Sequence, residues 1–322
     1  MKDYLKLIRI PNLIFIIAVQ AFIYFAVIMP IVGGYGFIVR IPYWVLASLV
    51  FATMLIAAGG YVINDYFDVK IDRMNRPESV IIANTIDKQD AMHIYMILTA
   101  AGVGIGVAAA VALKSFTIAF IYIIVAGLMW FYSSSYKRML VVGNLMVALM
   151  SALVPMIPAF AAKVQMCKDF GEMFLQTPVV PTIYTMCCGL GLFAFIMMFI
   201  IEIVKDMRDE YGDREMECHT IPVVWGVQTA KIIVTSFAAI LLGLSVLAAQ
   251  KVPFVNTSMS PLFHLNYSMV YVLTAILVPI VFMVYSIWNN SCKAFCNALH
   301  AARVALLFGT TYPLFFYYLL SH

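Results

Sequence analysis

Long apolar stretches alternate with short polar segments along almost the whole chain. Each stretch approaches the ~20 residues that an α-helix needs to cross the hydrocarbon core of a bilayer. Lengths of this kind favour helices, because a membrane β-strand needs only ~9–11 residues. The pattern therefore predicts an all-α, polytopic membrane bundle of nine transmembrane helices. The predicted spans are Leu13–Ile31, Tyr43–Asn64, Met92–Leu113, Phe116–Ser134, Val141–Ala162, Tyr184–Val204, Ala230–Ala249, Ser268–Trp288 and Asn297–Leu319.

The composition supports a membrane protein. Of the 322 residues, 64% are hydrophobic and only 11% are charged, whereas soluble domains average ~25% charged residues. The formal net charge of +4 is too small to indicate a nucleic-acid partner. We therefore expect the lipid bilayer as the surrounding medium, no nucleic acid, and no obligatory protein partner.

The positions of the basic residues predict the orientation. Cytoplasmic loops of membrane proteins carry an excess of Lys and Arg. When the nine predicted spans are threaded through a bilayer, most of the 20 Lys and Arg residues fall on the side of the N-terminus. We predict a multi-pass protein of the cell membrane, with the N-terminus in the cytoplasm and the C-terminus outside.

An Asp-rich motif occurs twice, each time at the end of an apolar helix, with the spacing Asp-x-x-Asp-x-x-x-Asp. Each helical residue turns by ~100°, so the carboxylates of one motif share one helix face. Such carboxylates repel each other unless a divalent cation or a cationic substrate group lies between them. One charged helix end is usually a solvated cap, but an exact repeat indicates a site. The first motif holds Asn64, Asp65, Asp68 and Asp72, and the second holds Asp206, Asp209 and Asp213.

The charges around both motifs suggest their ligand. Most of the 16 acidic residues lie within 65–90 and 202–217, where basic residues also gather. Mg²⁺ takes a few carboxylates together with phosphate oxygens, and Lys and Arg bind the phosphate charge. The apolar bundle suits a long hydrocarbon tail, so the combination indicates a polyprenyl diphosphate. A generally polar cytoplasmic surface explains the charge but not the repeat.

The chain resembles the UbiA superfamily of intramembrane prenyltransferases over nearly its whole length. The first family motif stands at 64–77, where Asn-Asp-x-x-Asp-x-x-x-Asp is followed by Asn-Arg-Pro. The second stands at 205–226, where Lys-Asp, Asp and Gly-Asp precede Thr-Ile-Pro and a final Gly. A third matching stretch covers 132–144, from Tyr-Ser through Lys-Arg to Gly-Asn. All three occur in order, which makes the resemblance specific.

The resemblance implies nine helices around a central cavity, with a cytoplasmic cap over the two Asp-rich motifs. It also implies Mg²⁺-dependent transfer of a prenyl group by ionisation of the diphosphate, with an active site on the cytoplasmic side. We expect one domain over 1–322, with a pseudo-repeat of the Asp-rich motif at 64–77 and 205–213.

Individual roles follow from matching the motifs. The ring of Tyr132 can face an allylic cation, although a Tyr at this depth also suits a membrane interface. The Lys and Arg residues can hold diphosphate or an anionic acceptor, or simply orient the protein. We predict Asn64, Asp68, Asp72, Asp209 and Asp213 as metal ligands; Asp65, Asp72, Asp206, Lys137 and Tyr132 as catalytic residues; and Arg9, Asn12, Arg76, Lys137, Arg138 and Lys205 as substrate-binding residues.

The acceptor has two candidates. The residue sequence of the first motif looks most like that of the family branch that alkylates geranylgeranylglyceryl phosphate. This resemblance favours geranylgeranyl diphosphate as the donor. More cations surround the motifs than one diphosphate with Mg²⁺ requires, which also favours an acceptor carrying a phosphate. The alternative is an aromatic acceptor of the 4-hydroxybenzoate or 1,4-dihydroxy-2-naphthoate type.

Two further functional classes stay open at this point. Internal repeats are common in membrane carriers, although carriers place their charged site near the bilayer midplane. A structural or receptor-like membrane protein would bind no prenyl diphosphate. The chain also departs from the family at Ala83-Asn84, which stand where a Ser-Gly pair is usual.

Overall fold

The computed structural model describes residues 2–251, 267–289 and 291–321. All regular secondary structure in these ranges is helical, apart from an isolated bridge between Ile82 and Ile86, and this confirms the all-α class. The longer helices are α1 (Ile10–Gly34, with a π-helical turn), α2 (Tyr43–Asn75), α3 (Lys88–Ala112), α4 (Phe116–Ser134), α5 (Val142–Leu153), α6 (Met156–Phe170), α7 (Val179–Glu215), α8 (Val227–Lys251), α9 (Tyr267–Ile287) and α10 (Cys292–Ser321).

Among the described residues, seven helices are long and apolar enough to cross a membrane, namely α1 to α4 and α7 to α9. The helices α5 and α6 pass the same test only when taken together, with a bend of 41° at their break, which is the geometry of a broken span or of a re-entrant loop. Pro155 stands at this break, where its ring and missing N–H interrupt the helical hydrogen bonds. The ninth predicted span lies within α10, which is not among these candidates, so the count of nine stays a prediction.

The two helices that carry the Asp-rich motifs are the longest in the described part of the chain. The helix α2 has 33 residues and α7 has 37, so each extends to ~50 Å or more, against a hydrocarbon core of ~30 Å. The spans predicted to end at Asn64 and Val204 therefore continue as helix through both motifs. Residues 64–76 contain no Pro or Gly, and α2 ends at Asn75, two residues before Pro77.

Two apolar cores hold the helices together. One is formed by α1 to α4 with α6 and the start of α7, and the other by α7 to α10 with part of α5. The helices α2 and α3 approach closely at Gly102, where an added Cβ would lie 2.8 Å from Cγ1 of Ile56. Because α7 contributes to both cores, its motif end has a defined position relative to α2.

The segment after the first motif folds back onto α2 and α3. Ile82 and Ile86 are buried in a third apolar cluster with Leu7 and Val62. At the departure from the family pattern, Ala83 adopts a left-handed backbone with φ of 68°. The side-chain amide of Asn84 donates to the carbonyl of Val80 at 3.1 Å and closes the turn. Whether this segment caps the site on the cytoplasmic side stays a prediction.

Candidate active site at the motif ends of α2 and α7

Lys137 contacts the first Asp-rich motif from the segment between α4 and α5. Its ammonium forms an ion pair with Asp68 and donates to Oδ1 of Asn64 at 3.4 Å. The Asn64 amide also donates to Asp68 at 2.8 Å, and the Asp68 side chain is buried. Burial has the largest single effect on the pKa of Lys137 and lowers it, but Asp68, Tyr132 and Asp72 together raise the pKa by more, so the ammonium stays protonated.

Arg9 contacts the same motif from the start of α1. Its guanidinium lies 2.6 Å from Oδ1 of Asp65 and stacks over the ring of Tyr61 at 4.8 Å. The backbone of Arg9 is left-handed, with φ of 54°, at the junction between a short helix, Lys2–Leu7, and α1. Burial lowers the pKa of Arg9, whereas Asp65 raises it, and the net pKa is raised. The guanidinium is thus a fixed positive charge beside the motif.

Arg76 joins the two motifs. Its guanidinium lies 3.3 Å from Asp72 of the first motif and 3.2 Å from Asp209 of the second. Arg208 also donates two bonds of 2.8 Å to the Asp209 carboxylate. Fork-shaped pairs of this kind fix both charge and geometry. The carboxylates of the two motifs therefore face a shared group of cations, as their repeat predicts.

Asn75 and Gly212 lock the ends of α2 and α7 against each other. The Asn75 amide donates to the carbonyl of Asp209 at 3.2 Å, and its carbonyl accepts from the N–H of Gly212 at 3.0 Å. A Cβ at Gly212 would lie only 2.3 Å from Oδ1 of Asn75. Glycine is needed here for close approach rather than for its backbone angles.

The remaining carboxylates of the second motif bind polar groups. Asn144, near the start of α5, donates to Asp206 at 2.7 Å. The hydroxyl of Thr220 donates to Asp213 at 3.3 Å, and Asp213 is buried. Asp213 also interacts electrostatically with Lys137 and Asp68.

A cavity of about 460 Å³ opens beside the motifs and extends between the helices. Its volume lies in the ~300–1,000 Å³ range of small-molecule sites. Most of the lining is apolar, with side chains such as Phe15, Ile56 and Leu306. Its polar lining includes Arg9, Asn12, Tyr61, Asn64, Tyr132, Glu202, Lys205 and Arg303. The arrangement suits a molecule with an ionic head and a long apolar tail.

The predicted site residues fall into three groups. Five of them line the cavity. The motif carboxylates, together with Arg76 and Lys137, form the ion pairs beside its polar end. Arg138 is exposed and does not line the cavity. The five in the cavity lining are Arg9, Asn12, Asn64, Tyr132 and Lys205.

Sequence reasoning did not single out four polar residues that the structure adds to the site. Asn75 and Asn144 position the second motif, and Glu202 and Arg303 line the cavity. Asn75 and Asn144 lie inside the stretches that match the family, so the sequence motifs could have identified both residues. Glu202 stands one helical turn before Asp206, whereas Arg303 comes from α10, far away in sequence, and carries no local signal.

The donor chemistry of the two motifs fits Mg²⁺. Carboxylate and amide oxygens are hard ligands, and Mg²⁺ commonly binds one or two carboxylates and completes its shell with water and phosphate oxygens. No group of three acidic, His or Cys side chains within 2–251, 267–289 and 291–321 is arranged to hold a metal ion by itself. The residues therefore suit a metal bound jointly with a phosphate-bearing substrate, rather than an all-protein cage.

Solved structures of membrane proteins share the fold. A solved structure described as digeranylgeranylglyceryl phosphate synthase superposes with a TM-score of 0.59 over 97% of this chain and 98% of that chain, at 19% identity. A solved UbiA homologue from Archaeoglobus fulgidus, bound to DMAPP and Mg²⁺, superposes with a TM-score of 0.50 over 94% of this chain and 99% of that chain, at 14% identity.

A relative from Sulfolobus acidocaldarius, named digeranylgeranylglyceryl phosphate synthase, is 29% identical over 307 residues, which cover 94% of this chain and 93% of the relative. The sequence model of the UbiA prenyltransferase family matches residues 25–294. With an all-helical bundle, two facing Asp-rich motifs and a match over most of its length, the chain belongs to the UbiA prenyltransferase family and is a membrane-bound prenyltransferase.

Proposed function

We propose that the protein transfers a geranylgeranyl group from geranylgeranyl diphosphate to the free hydroxyl of geranylgeranylglyceryl phosphate. The products are a second ether bond of an ether lipid and free diphosphate. The observation that carries this choice of acceptor is Arg303, a cation that lines the cavity apart from the Asp-rich motifs. The names of the relatives support the same reaction.

The motif end of the cavity is proposed to bind the diphosphate of the donor. Asp68, Asp72, Asp209 and Asp213 with Asn64 are the proposed Mg²⁺ ligands, and the metal, when bound, neutralises charge on the leaving diphosphate. The Mg²⁺ bound together with DMAPP in the solved Archaeoglobus homologue supports this choice of metal. The proposed diphosphate ligands among the cations are Lys137, Arg76 and Lys205.

Donor ionisation is supported by charges that are already in position. Lys137 and Arg76 are held by carboxylates of the motifs, so no side chain has to be ordered when diphosphate charge develops. We assign Asp65 to positioning Arg9, and Asp206 to positioning the second motif through Asn144. Tyr132, buried in the cavity wall, is the proposed partner of the allylic cation.

The acceptor phosphate is proposed to bind at Arg303. In the described part of the chain no carboxylate forms an ion pair with this guanidinium. Arg208, Arg9 and Arg76 repel it electrostatically, and Glu202 attracts it without forming an ion pair. A cluster of like charges beside a cavity favours an anion. A phosphate dianion at Arg303 offsets more of this repulsion than the single carboxylate of 4-hydroxybenzoate or 1,4-dihydroxy-2-naphthoate.

The test is a competition between acceptors. Purified protein in lipid nanodiscs receives Mg²⁺, geranylgeranyl diphosphate and an equimolar mixture of geranylgeranylglyceryl phosphate, 4-hydroxybenzoate and 1,4-dihydroxy-2-naphthoate. We expect the lipid ether as the main product by mass spectrometry, with one diphosphate released per ether formed. An aromatic product alone would overturn the acceptor assignment, and saturable transport without diphosphate release would favour a carrier.

A further inference from the structure

We propose that Glu202 is the catalytic base that takes the proton from the acceptor hydroxyl. The inference rests on the proposed function and extends it, because an aliphatic hydroxyl attacks poorly until its proton is removed. The two Asp-rich motifs do not supply this group, because their Asp side chains lie at the diphosphate end and outside the cavity lining.

Glu202 has the position that such a base requires. Among the acidic side chains in the described residues, it alone lines the cavity. It stands four residues before Asp206 on α7, so it lies ~6 Å along the helix from the second motif. The base thus lies beside the diphosphate end but not within it. That is where the first carbon of the prenyl chain has to lie when its diphosphate is bound at the motifs.

Cations surround the side chain of Glu202. The residue is only 8% exposed, and the Lys205 ammonium donates to both of its oxygens, at 3.1 and 2.9 Å. Arg9 and Arg303 also interact with it electrostatically. An ionisable side chain buried inside a membrane protein beside such partners marks function by default. Its carboxyl group is of the kind that serves as a general base.

The acceptor then lies between two fixed groups. Its phosphate binds Arg303, and its hydroxyl points to Glu202, since both side chains line the same cavity. The two side chains also interact with each other electrostatically. Arg303 therefore binds the phosphate of the glycerol phosphate head group, and Glu202 aligns its reacting hydroxyl.

The chemical step balances with the groups named. The bond between carbon 1 of the prenyl chain and the diphosphate oxygen breaks, and its electron pair leaves with diphosphate. A lone pair of the acceptor oxygen forms the new C–O bond to carbon 1. The O–H bond breaks as its proton moves to an oxygen of Glu202, and that proton is later released to water. No oxidant or reductant takes part.

The test compares Glu202→Gln with a matched control on the same helix. Glutamine keeps the shape but cannot accept the proton. The control is Glu210→Gln, which breaks a similar ion pair between Glu210 and Arg214 outside the cavity lining. With geranylgeranyl diphosphate and geranylgeranylglyceryl phosphate, we expect Glu202→Gln to lower kcat by ~100-fold or more. We expect the KM for geranylgeranyl diphosphate to change by less than about threefold, and Glu210→Gln to stay within about twofold of wild type.

A thiol acceptor separates a base from a structural partner of Lys205. An aliphatic thiol loses its proton near pH ~9 without help, so the thiol analogue of the acceptor should react equally fast with wild type and with Glu202→Gln. If Glu202→Gln does not fold, Glu202→Asp is used, and we expect a loss of about tenfold with the hydroxyl acceptor only. An equal loss with both acceptors, or near-normal kcat of Glu202→Gln with the hydroxyl, would overturn the assignment.

The same assay separates the two proposals. If the wild-type protein forms no ether from geranylgeranylglyceryl phosphate, the proposed function fails, and the role of Glu202 fails with it. If the wild-type protein forms the ether and Glu202→Gln forms it at a similar rate, only the role of Glu202 is wrong.

Discussion

At the scale of single residues, the site is organised by charge compensation. From the sequence, carboxylates that share a helix face need a divalent cation or a cationic substrate group between them. In the structure, Lys137, Arg9 and Arg76 of the protein itself form ion pairs with Asp68, Asp65, Asp72 and Asp209. These pairs offset part of the cost of burying the paired carboxylates.

Removing one carboxylate from either motif should abolish turnover. We expect Asp68→Ala and Asp209→Ala each to lower the rate of diphosphate release by ~100-fold or more, because the proposed metal site needs both motifs. The control is Asp169→Ala, an exposed residue bonded only locally to Gln165. Near-normal turnover in either motif variant would contradict a shared site.

The ion pair between Lys137 and Asp68 should also contribute to stability. Asp68→Ala leaves the Lys137 ammonium without its carboxylate, so the free energy of unfolding should fall by ~1–3 kcal/mol. Replacing both residues by Ala should recover part of this loss, because no uncompensated charge remains. Thermal unfolding in detergent measures both effects. A double variant less stable than the sum of the single changes would contradict the pairing.

At the scale of elements, the site depends on how the ends of α2 and α7 meet. The turn of α7 at Gly212 lies against the Asn75 side chain, and two hydrogen bonds cross this contact. The length of both helices matters as well, since each continues beyond the bilayer core and carries its motif out to the contact. A loop at either position would place the carboxylates less rigidly.

Adding one methyl group should disturb this contact. Gly212→Ala forces the Asn75 side chain away and breaks two hydrogen bonds, so we expect ~1–3 kcal/mol lower stability and loss of turnover. The control is Gly189→Ala on the same helix, where nothing lies within 4 Å of the added Cβ. That change should be neutral or stabilising by up to ~1 kcal/mol. Equal effects of the two substitutions on stability and turnover would argue against a specific role of the contact between Gly212 and Asn75.

At the scale of the whole molecule, the orientation in the membrane is a prediction from the basic residues. Glu78 lies just after the first motif, and Glu172 lies between α6 and α7; both are exposed. A membrane-impermeant thiol reagent on intact cells should label Glu172→Cys but label Glu78→Cys only after permeabilisation. The unsubstituted chain controls for its native cysteines. The opposite labelling pattern would reverse the predicted topology.

Much of the architecture was predictable because it depends on local properties of the chain. Hydropathy locates helices in a bilayer since backbone groups in lipid must bond internally, and eight predicted spans correspond to membrane-spanning candidates of the structure, one of them broken at Pro155. The ninth span, the pseudo-repeat within one domain, and the individual site roles stay predictions. The helix ends were misplaced at Asn64 and Val204, because hydropathy falls where charges begin although the helix continues.

The sequence by itself determined the class of protein, the two Asp-rich motifs and the family, because spacing and hydropathy are properties of the chain alone. Only the tertiary structure decided which cation meets which carboxylate. It also brought Arg303 from α10 and Glu202 from α7 to one cavity. The physical reason is that ion pairs and cavity walls depend on distances between helices far apart in sequence, and packing of the complete bundle sets those distances.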